Sequence, residues 1–235
     1  MKQFRFEEGA DVAADIRAKY GFEGDLLDLF AGNSGAVVHK WHHYIPIYDR
    51  YFAPWRGRPV RFLEIGVNKG GSLQMWRQYF GNEAVLFGID INADCAQFDG
   101  QAGQVRIGSQ ADPEFLGKVI EEMGGVDVVL DDGSHRMAHV RATFEALFPK
   151  LEQGGLYMIE DLHTAYLPRF GGGYRSGDNF FRFVRELTDD MHHWYHRKGK
   201  RHPEASAGVS GLHVHDSIAV IEKQAIHRPV HSRVG

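Results

Sequence analysis

The chain has 235 residues, 43% of them hydrophobic and 25% charged, with a formal net charge of −4 at pH 7. That is enough length and apolar content for one globular domain with a full core, while the weakly acidic balance excludes bulk attraction to nucleic acid or an anionic membrane. No apolar run approaches the ~20 residues of a transmembrane helix, residues 1–20 lack the apolar centre of a secretory signal, and a single cysteine, Cys95, excludes an internal disulfide and suits a reducing, cytoplasmic compartment.

Residues 11–30 read as one or two short helices. Residues 38–55 carry Trp41, Tyr44, Tyr48, Tyr51, Phe52 and Trp55, mostly three or four apart. This spacing predicts a helix over 44–52, ended by Pro54 and Pro59, with most of the aromatics packed as core. Strands and helices then alternate: strand 60–67, helix 72–80, strand 84–91, short strand 105–108, helix 114–123, strand 126–130, helix 137–151, strand 155–159. Residues 163–178 are glycine-rich and read as a long loop of the kind that often serves as a lid. A helix is expected over 179–194. The basic cluster Arg197-Lys198-Gly199-Lys200-Arg201 then reads as a solvated connection. Residues 209–215 and 217–223 alternate about a tight turn near Asp216, which predicts a hairpin. The fold class is therefore α/β: a Rossmann-like doubly wound sheet, mostly parallel, with a C-terminal antiparallel hairpin and N-terminal helices.

The stretch from Val126 to Asp161 is the most informative. One apolar strand ends in Asp131-Asp132-Gly133-Ser134-His135 and the next in Glu160-Asp161. A helix between them makes a βαβ unit, so both acidic ends emerge at one edge of the sheet, where open α/β sheets bind ligands. Four carboxylates and a histidine crowded there repel one another unless a cation is present, which points to a divalent-metal site with a general base beside it. The first strand ends in Glu64-Ile65-Gly66-Val67-Asn68-Lys69-Gly70-Gly71-Ser72. This turn lets the backbone pass close to a ligand and then opens a helix. Asn68 stands where a dinucleotide fingerprint has its second glycine, so a pyrophosphate fits poorly. Asp90 closes the second strand, where a carboxylate suits a ribose diol. Ser109 and Gln110 follow the third strand and are expected on an adenine edge.

Taken together, the chain resembles the class I S-adenosylmethionine-dependent methyltransferases, and among them the metal-dependent sugar O-methyltransferases of antibiotic biosynthesis. The matching pieces are His43-Tyr44 with Tyr48 and Phe52-Ala53-Pro54, Phe62-Leu63-Glu64-Ile65-Gly66, Gly88-Ile89-Asp90, Asp131-Asp132-Gly133-Ser134-His135, Ile159-Glu160-Asp161-Leu162 and residues 213–223. The resemblance implies S-adenosylmethionine and Mg²⁺ as cofactors. It implies a metal held by Asp132, Glu160 and Asp161, with His135 as catalytic base. It implies cofactor contacts from Tyr44, Glu64, Gly66, Asn68, Ser72, Asp90, Ser109, Gln110 and Asp131, with the carboxylates of Asp131 and Glu64 near the sulfonium amino group. His163 and Tyr166 are candidates for substrate contact. The expected organisation is one methyltransferase domain over 1–235, with an N-terminal helical segment 1–58, a core 59–224 and a tail 225–235. The expected acceptor is a small molecule or an oligosaccharide, and a homo-oligomer without nucleic-acid or membrane partners is expected. Two other readings compete. A non-haem iron oxygenase would use His135 and His163 with Asp161 or Asp132. A non-catalytic adenosylmethionine-binding scaffold would have no need to gather charge in this way.

Overall fold

The computed structural model describes residues 4–235. Local signals account for most boundaries. Helix α1 (Val12–Tyr20) starts where the Asp11 side chain accepts the Ala14 N–H and stops at Gly21. Helices α2 (Asp25–Ala31) and α3 (Tyr44–Phe52) come next. Strand β1 (Arg61–Ile65) leads into α4 (Gly71–Phe80), then come β2 (Val85–Asp90) and β3 (Gln104–Ile107). Helix α5 (Pro113–Met123) is capped by Asp112, with Pro113 in its first turn and Gly124 after its last. Strand β4 (Val126–Asp131), α6 (Met137–Leu147), β5 (Leu151–Ile159), α7 (Phe180–Met191) and the hairpin of β6 (Val209–His215) and β7 (Ile218–Lys223) complete the chain. The helix expected over 137–151 is shorter than its apolar spacing suggests. Pro149 confines Phe148–Lys150 to a single tight turn, and Leu151 already pairs with Val126.

The seven strands form one sheet in the order β3-β2-β1-β4-β5-β7-β6. The first five are parallel; β7 is antiparallel to β5 and β6 to β7. The fold expected from the alternating pattern is therefore the one observed. Each face of the sheet carries its own core. Phe62, Leu86, Val128, Leu130 and Met158 pack against the helices α1 to α4. Leu63, Ile65, Phe87, Val129, Tyr157 and Ile159 pack against α5, α6 and α7.

The aromatics of α3 belong to the first core. Tyr44, Tyr48 and Phe52 are buried, and Phe52 lies edge-on to Phe62 and Trp76 at 5.6 and 5.4 Å between ring centroids. Burying each such side chain contributes about 1.5–3 kcal/mol. Most of the aromatic stretch is thus spent on internal packing, while Trp41 and Trp55 stay partly exposed. Among the described residues no helix is long and apolar enough to cross a membrane.

Candidate functional site

Strand alternation decides which acids meet. Successive side chains point to opposite faces of a sheet. On β4, Asp131 follows Val129 toward α5 and α6, while Asp132 falls on the other side. On β5, Ile159 faces α6 and Glu160 the opposite side. Asp132 and Glu160 therefore converge above the N-terminal helices, and Asp131 is separated from them.

Asp131 is buried beneath the site, where it accepts hydrogen bonds from Gln110 Nε2 at 3.2 Å and Tyr157 OH at 3.2 Å. Burial pushes its carboxyl up to about 7, against the pull of those bonds. Glu64 points to the other face for the same reason of parity. It is fully buried and accepts from Ser72 Oγ at 2.8 Å and Trp76 Nε1 at 3.1 Å. Burial raises it to about 7, partly opposed by the Lys40 charge.

Asp132 and Glu160 meet a residue outside both strands. Lys40 Nζ lies 2.5 Å from Asp132 Oδ2 and 2.9 and 3.0 Å from the two oxygens of Glu160. Burial alone would lower the lysine, but the charges of Asp132, Glu160 and Glu64 outweigh it and hold the ammonium well above its ordinary value. Glu160 is pushed up by burial and by the Asp132 charge, with Lys40 opposing.

Asp161 adopts left-handed backbone at φ 55°, as does His135 at φ 55°. Such backbone is uncommon outside glycine and gathers at functional sites. The turn at Asp161 is held by Tyr44 OH at 2.8 Å and Trp41 Nε1 at 3.1 Å, both donating to Oδ1. His135 Nε2 then lies 3.9 Å from Asp132 Oδ1 and 3.6 Å from Asp161 Oδ2. One ligand atom from each of Asp132, His135 and Asp161 lies within 4.8 Å of the others. Two hard oxygens and an imidazole at this spacing, beside carboxylates already gripping an ammonium, suit a divalent cation.

These residues form one end of a cavity of about 540 Å³. Its other walls include Gly66, Asn68, Ser72, Asp90, Ser109, Gln110 and residues 37–41. Asp90 Oδ2 accepts the amides of Val67 and Asn68 at 3.0 Å each, and Oδ1 that of Asn92 at 2.8 Å, so its carboxylate is fixed at the cavity wall. Gly66 has φ 98°, and a Cβ there would strike the Asp132 carbonyl oxygen. Only glycine lets the first turn approach the acidic end so closely.

The comparisons with known proteins bear on this arrangement. Residues 63–162 match the methyltransferase domain family, from β1 through the end of β5. The methyltransferase domain so defined contains Glu64, Asp90, Asp131, Asp132, His135, Glu160 and Asp161. Over 234 residues the chain is 37% identical to the 8-demethyl-8-(2-methoxy-alpha-L-rhamnosyl)-tetracenomycin-C 3'-O-methyltransferase of Streptomyces olivaceus, covering 94% of this chain and 60% of that one. It is 39% identical over 197 residues to the mycinamicin VI 2''-O-methyltransferase of Micromonospora griseorubida, covering 77% and 48%. A methyltransferase from the mycinamycin biosynthetic pathway, solved in complex with Mg, SAH and mycinamycin VI, superposes with a TM-score of 0.73 at 32% identity, covering 93% of this chain and 54% of that one. The chain thus spans about half to three-fifths of the length of these relatives.

Within the methyltransferase domain the expected residues separate into groups. Gly66, Asn68, Ser72, Asp90 and Ser109 line the cavity, as do Asp132, His135, Glu160 and Asp161. Gln110 also lines it, with its amide already engaged by internal partners. Oε1 accepts the Ser134 N–H at 2.6 Å, and Nε2 donates to Asp131 and Thr143. Asp131, Glu64 and Tyr44 are not among the residues that line this cavity. Parity and burial turn the two acids inward, and Tyr44 braces Asp161. Among the described residues, Asp132, His135 and Asp161 are the one group of three with metal-ligand spacing. Glu160 adjoins that group through Lys40. His163 packs edge-on to Trp41 at 5.5 Å, with Nδ1 2.7 Å from Ser217 Oγ. Burial lowers its pKa, and its Nε2 is buried without a partner. Tyr166 is half-exposed and faces Phe181. The loop over 163–178 is pinned by Asn179 Nδ2, which donates to the carbonyls of Ala165 and Gly173 at 2.8 and 3.1 Å. Lys40 is the site residue that sequence reasoning missed; its one signal was a lone charge inside the apolar and aromatic run from Ala36 to Tyr48.

Proposed function

We propose that the chain is an S-adenosylmethionine- and Mg²⁺-dependent O-methyltransferase acting on a sugar hydroxyl of a glycosylated natural product, or of a free sugar or oligosaccharide. The observation that carries this reading is that Asp132, His135 and Asp161 meet in the wall of the same cavity that Asp90 lines. The sugar O-methyltransferases among its relatives support the acceptor class. Asp90 is assigned the ribose diol, because its Oδ1 accepts only the Asn92 amide and keeps a lone pair for a hydroxyl donor. Gly66, Asn68, Ser72 and Ser109 are assigned the remainder of the cofactor surface.

Asp132, Asp161 and Glu160 are assigned the metal, and His135 adjoins them. When bound, S-adenosylmethionine supplies the methyl group as an electrophile, and Mg²⁺ makes a nearby acceptor hydroxyl more acidic. His135 takes the proton of that hydroxyl as general base. Its backbone is left-handed, and the Phe170 ring flanks the imidazole at 6.5 Å between centroids. Positioning of acceptor and donor contributes the rest. His163 and Tyr166 are assigned acceptor contacts at the edge of the pinned loop. The group of three with ligand spacing has two carboxylates and one histidine, whereas an iron oxygenase requires two histidines; His163, 3.9 Å from Asp161 Oδ1, lies outside that group, so the carboxylate-rich reading is preferred. The use of a single cysteine is what supports a cytoplasmic setting; sedimentation of the purified chain tests the homo-oligomer.

Calorimetric titration with S-adenosylhomocysteine, in Mg²⁺ and then in EDTA, tests the cofactor assignment. Micromolar binding is expected, followed by Mg²⁺-dependent methylation of a rhamnosylated or related sugar acceptor. No binding in either buffer overturns the assignment.

A further inference from the structure

Residues 40, 41 and 44 reach the three acids of the site in turn. Trp41 and Tyr44 hold Asp161, while Lys40 grips Asp132 and Glu160. The Lys40 side chain is 2% exposed and that of Glu160 1%, against 21% for Asp132. A buried ammonium among carboxylates is costly to place and is retained only where its partners compensate it. Here one ammonium serves two carboxylates, with Asp161 and His135 close by. Asp132 is the member shared between the two arrangements: Oδ2 meets Lys40, and Oδ1 faces His135.

Resting on the metal reading above, we propose that Lys40 is a positioning residue, a built-in cation that holds Asp132 and Glu160 together in the metal-free protein and competes with the divalent cation for them. Lys40 keeps the acidic end from flying apart before metal arrives. It also limits how tightly metal is held, because any cation drawn to Asp132 works against a fixed positive charge a few ångströms away. Its segment lines the cavity, so the two effects act at the wall assigned to the cofactor.

The test compares the cofactor-free full chain with Lys40→Met, which keeps length and apolar bulk but removes charge, and Lys40→Arg, which keeps charge. Mg²⁺ affinity is measured by titration calorimetry and metal-free stability by thermal melting. Lys40→Met should bind Mg²⁺ on the order of tenfold tighter than wild type and melt lower without it. Lys40→Arg should return affinity toward the wild-type value. A merely structural lysine would lower melting without tightening Mg²⁺, so unchanged or weaker Mg²⁺ binding by Lys40→Met overturns the proposal. If Lys40→Met is unfolded without metal, added Mg²⁺ must restore the fold, and persistent unfolding in Mg²⁺ overturns it too. Wild-type chain that binds no Mg²⁺ overturns the metal reading itself, a result distinct from wild-type binding that Lys40→Met leaves unchanged.

Discussion

Replacing Glu64 by glutamine should stabilise the protein at mildly alkaline pH and leave it nearly unchanged in acid. Glu64 lies on the inward face of β1, fully buried, with Ser72 and Trp76 as its donors. Burial raises its carboxyl from 4.5 to about 7. Below the unfolded value the group is protonated in both states, and its neutral form sits in the core at no electrostatic cost. As pH rises from about 4.5 to about 7, the unfolded chain releases the proton while the folded chain retains it. The folded state then binds more protons, so stability falls with rising pH across that window and levels off above it. At 1.36 kcal/mol per pH unit the loss has a ceiling of roughly 3 kcal/mol. Glutamine matches the protonated carboxyl in shape and cannot ionise, so the variant escapes the loss.

Urea denaturation of both proteins at about pH 5 and about pH 8 measures the effect. Asp131, also raised to about 7, contributes to both proteins and cancels in the comparison. The variant should gain stability relative to wild type on going from the lower to the higher pH. The same offset at both values would refute the reasoning and show that Glu64 is compensated as an ion.

Three further outcomes are expected. His135→Ala should lower turnover by about 10²–10⁴-fold, the usual contribution of a general base, while S-adenosylhomocysteine affinity stays near wild type in calorimetry; an undiminished rate removes His135 from that role. Asp161→Ala should abolish Mg²⁺-dependent methyl transfer, and full wild-type activity in EDTA would refute the metal assignment. Tyr44→Phe removes the donor to Asp161 Oδ1, a charge-assisted bond whose loss should cost about 1–3 kcal/mol in urea denaturation and weaken Mg²⁺ binding; a variant equal to wild type in both would show that Trp41 alone holds the turn.

How far the site was legible can be seen in the acids themselves. The βαβ spacing correctly brings both acidic strand ends to one edge of the sheet, because a parallel crossover leaves no other arrangement. Treating the four acids as a single cluster overlooked the two-residue alternation of strands, although that rule acts on sequence. Applied to Val128-Val129-Leu130-Asp131 it places Asp131 with Val129, on the face toward Tyr157 and away from Glu160. Gln110 shows the opposite limit. Its position after β3 is readable, but its amide is consumed by Ser134, Asp131 and Thr143, partners that only folding brings near.

Hydrophobic period, capping residues and glycine turns act over a few residues, so the chain alone determined its helices, its strands, the parallel core and the hairpin edge. It also determined that Asp90, Asp132, His135, Glu160 and Asp161 would share the carboxyl edge of the sheet. Tertiary structure alone decided which charges are compensated. Lys40 lies 92 residues from Asp132 and 120 from Glu160, and Trp41 and Tyr44 are 120 and 117 residues from Asp161. No local pattern encodes such pairings. They arise from α3 docking on the sheet and on α4, Tyr48 and Phe52 packing against Phe62 and Trp76, and that packing carries the segment before it across the ends of β4 and β5.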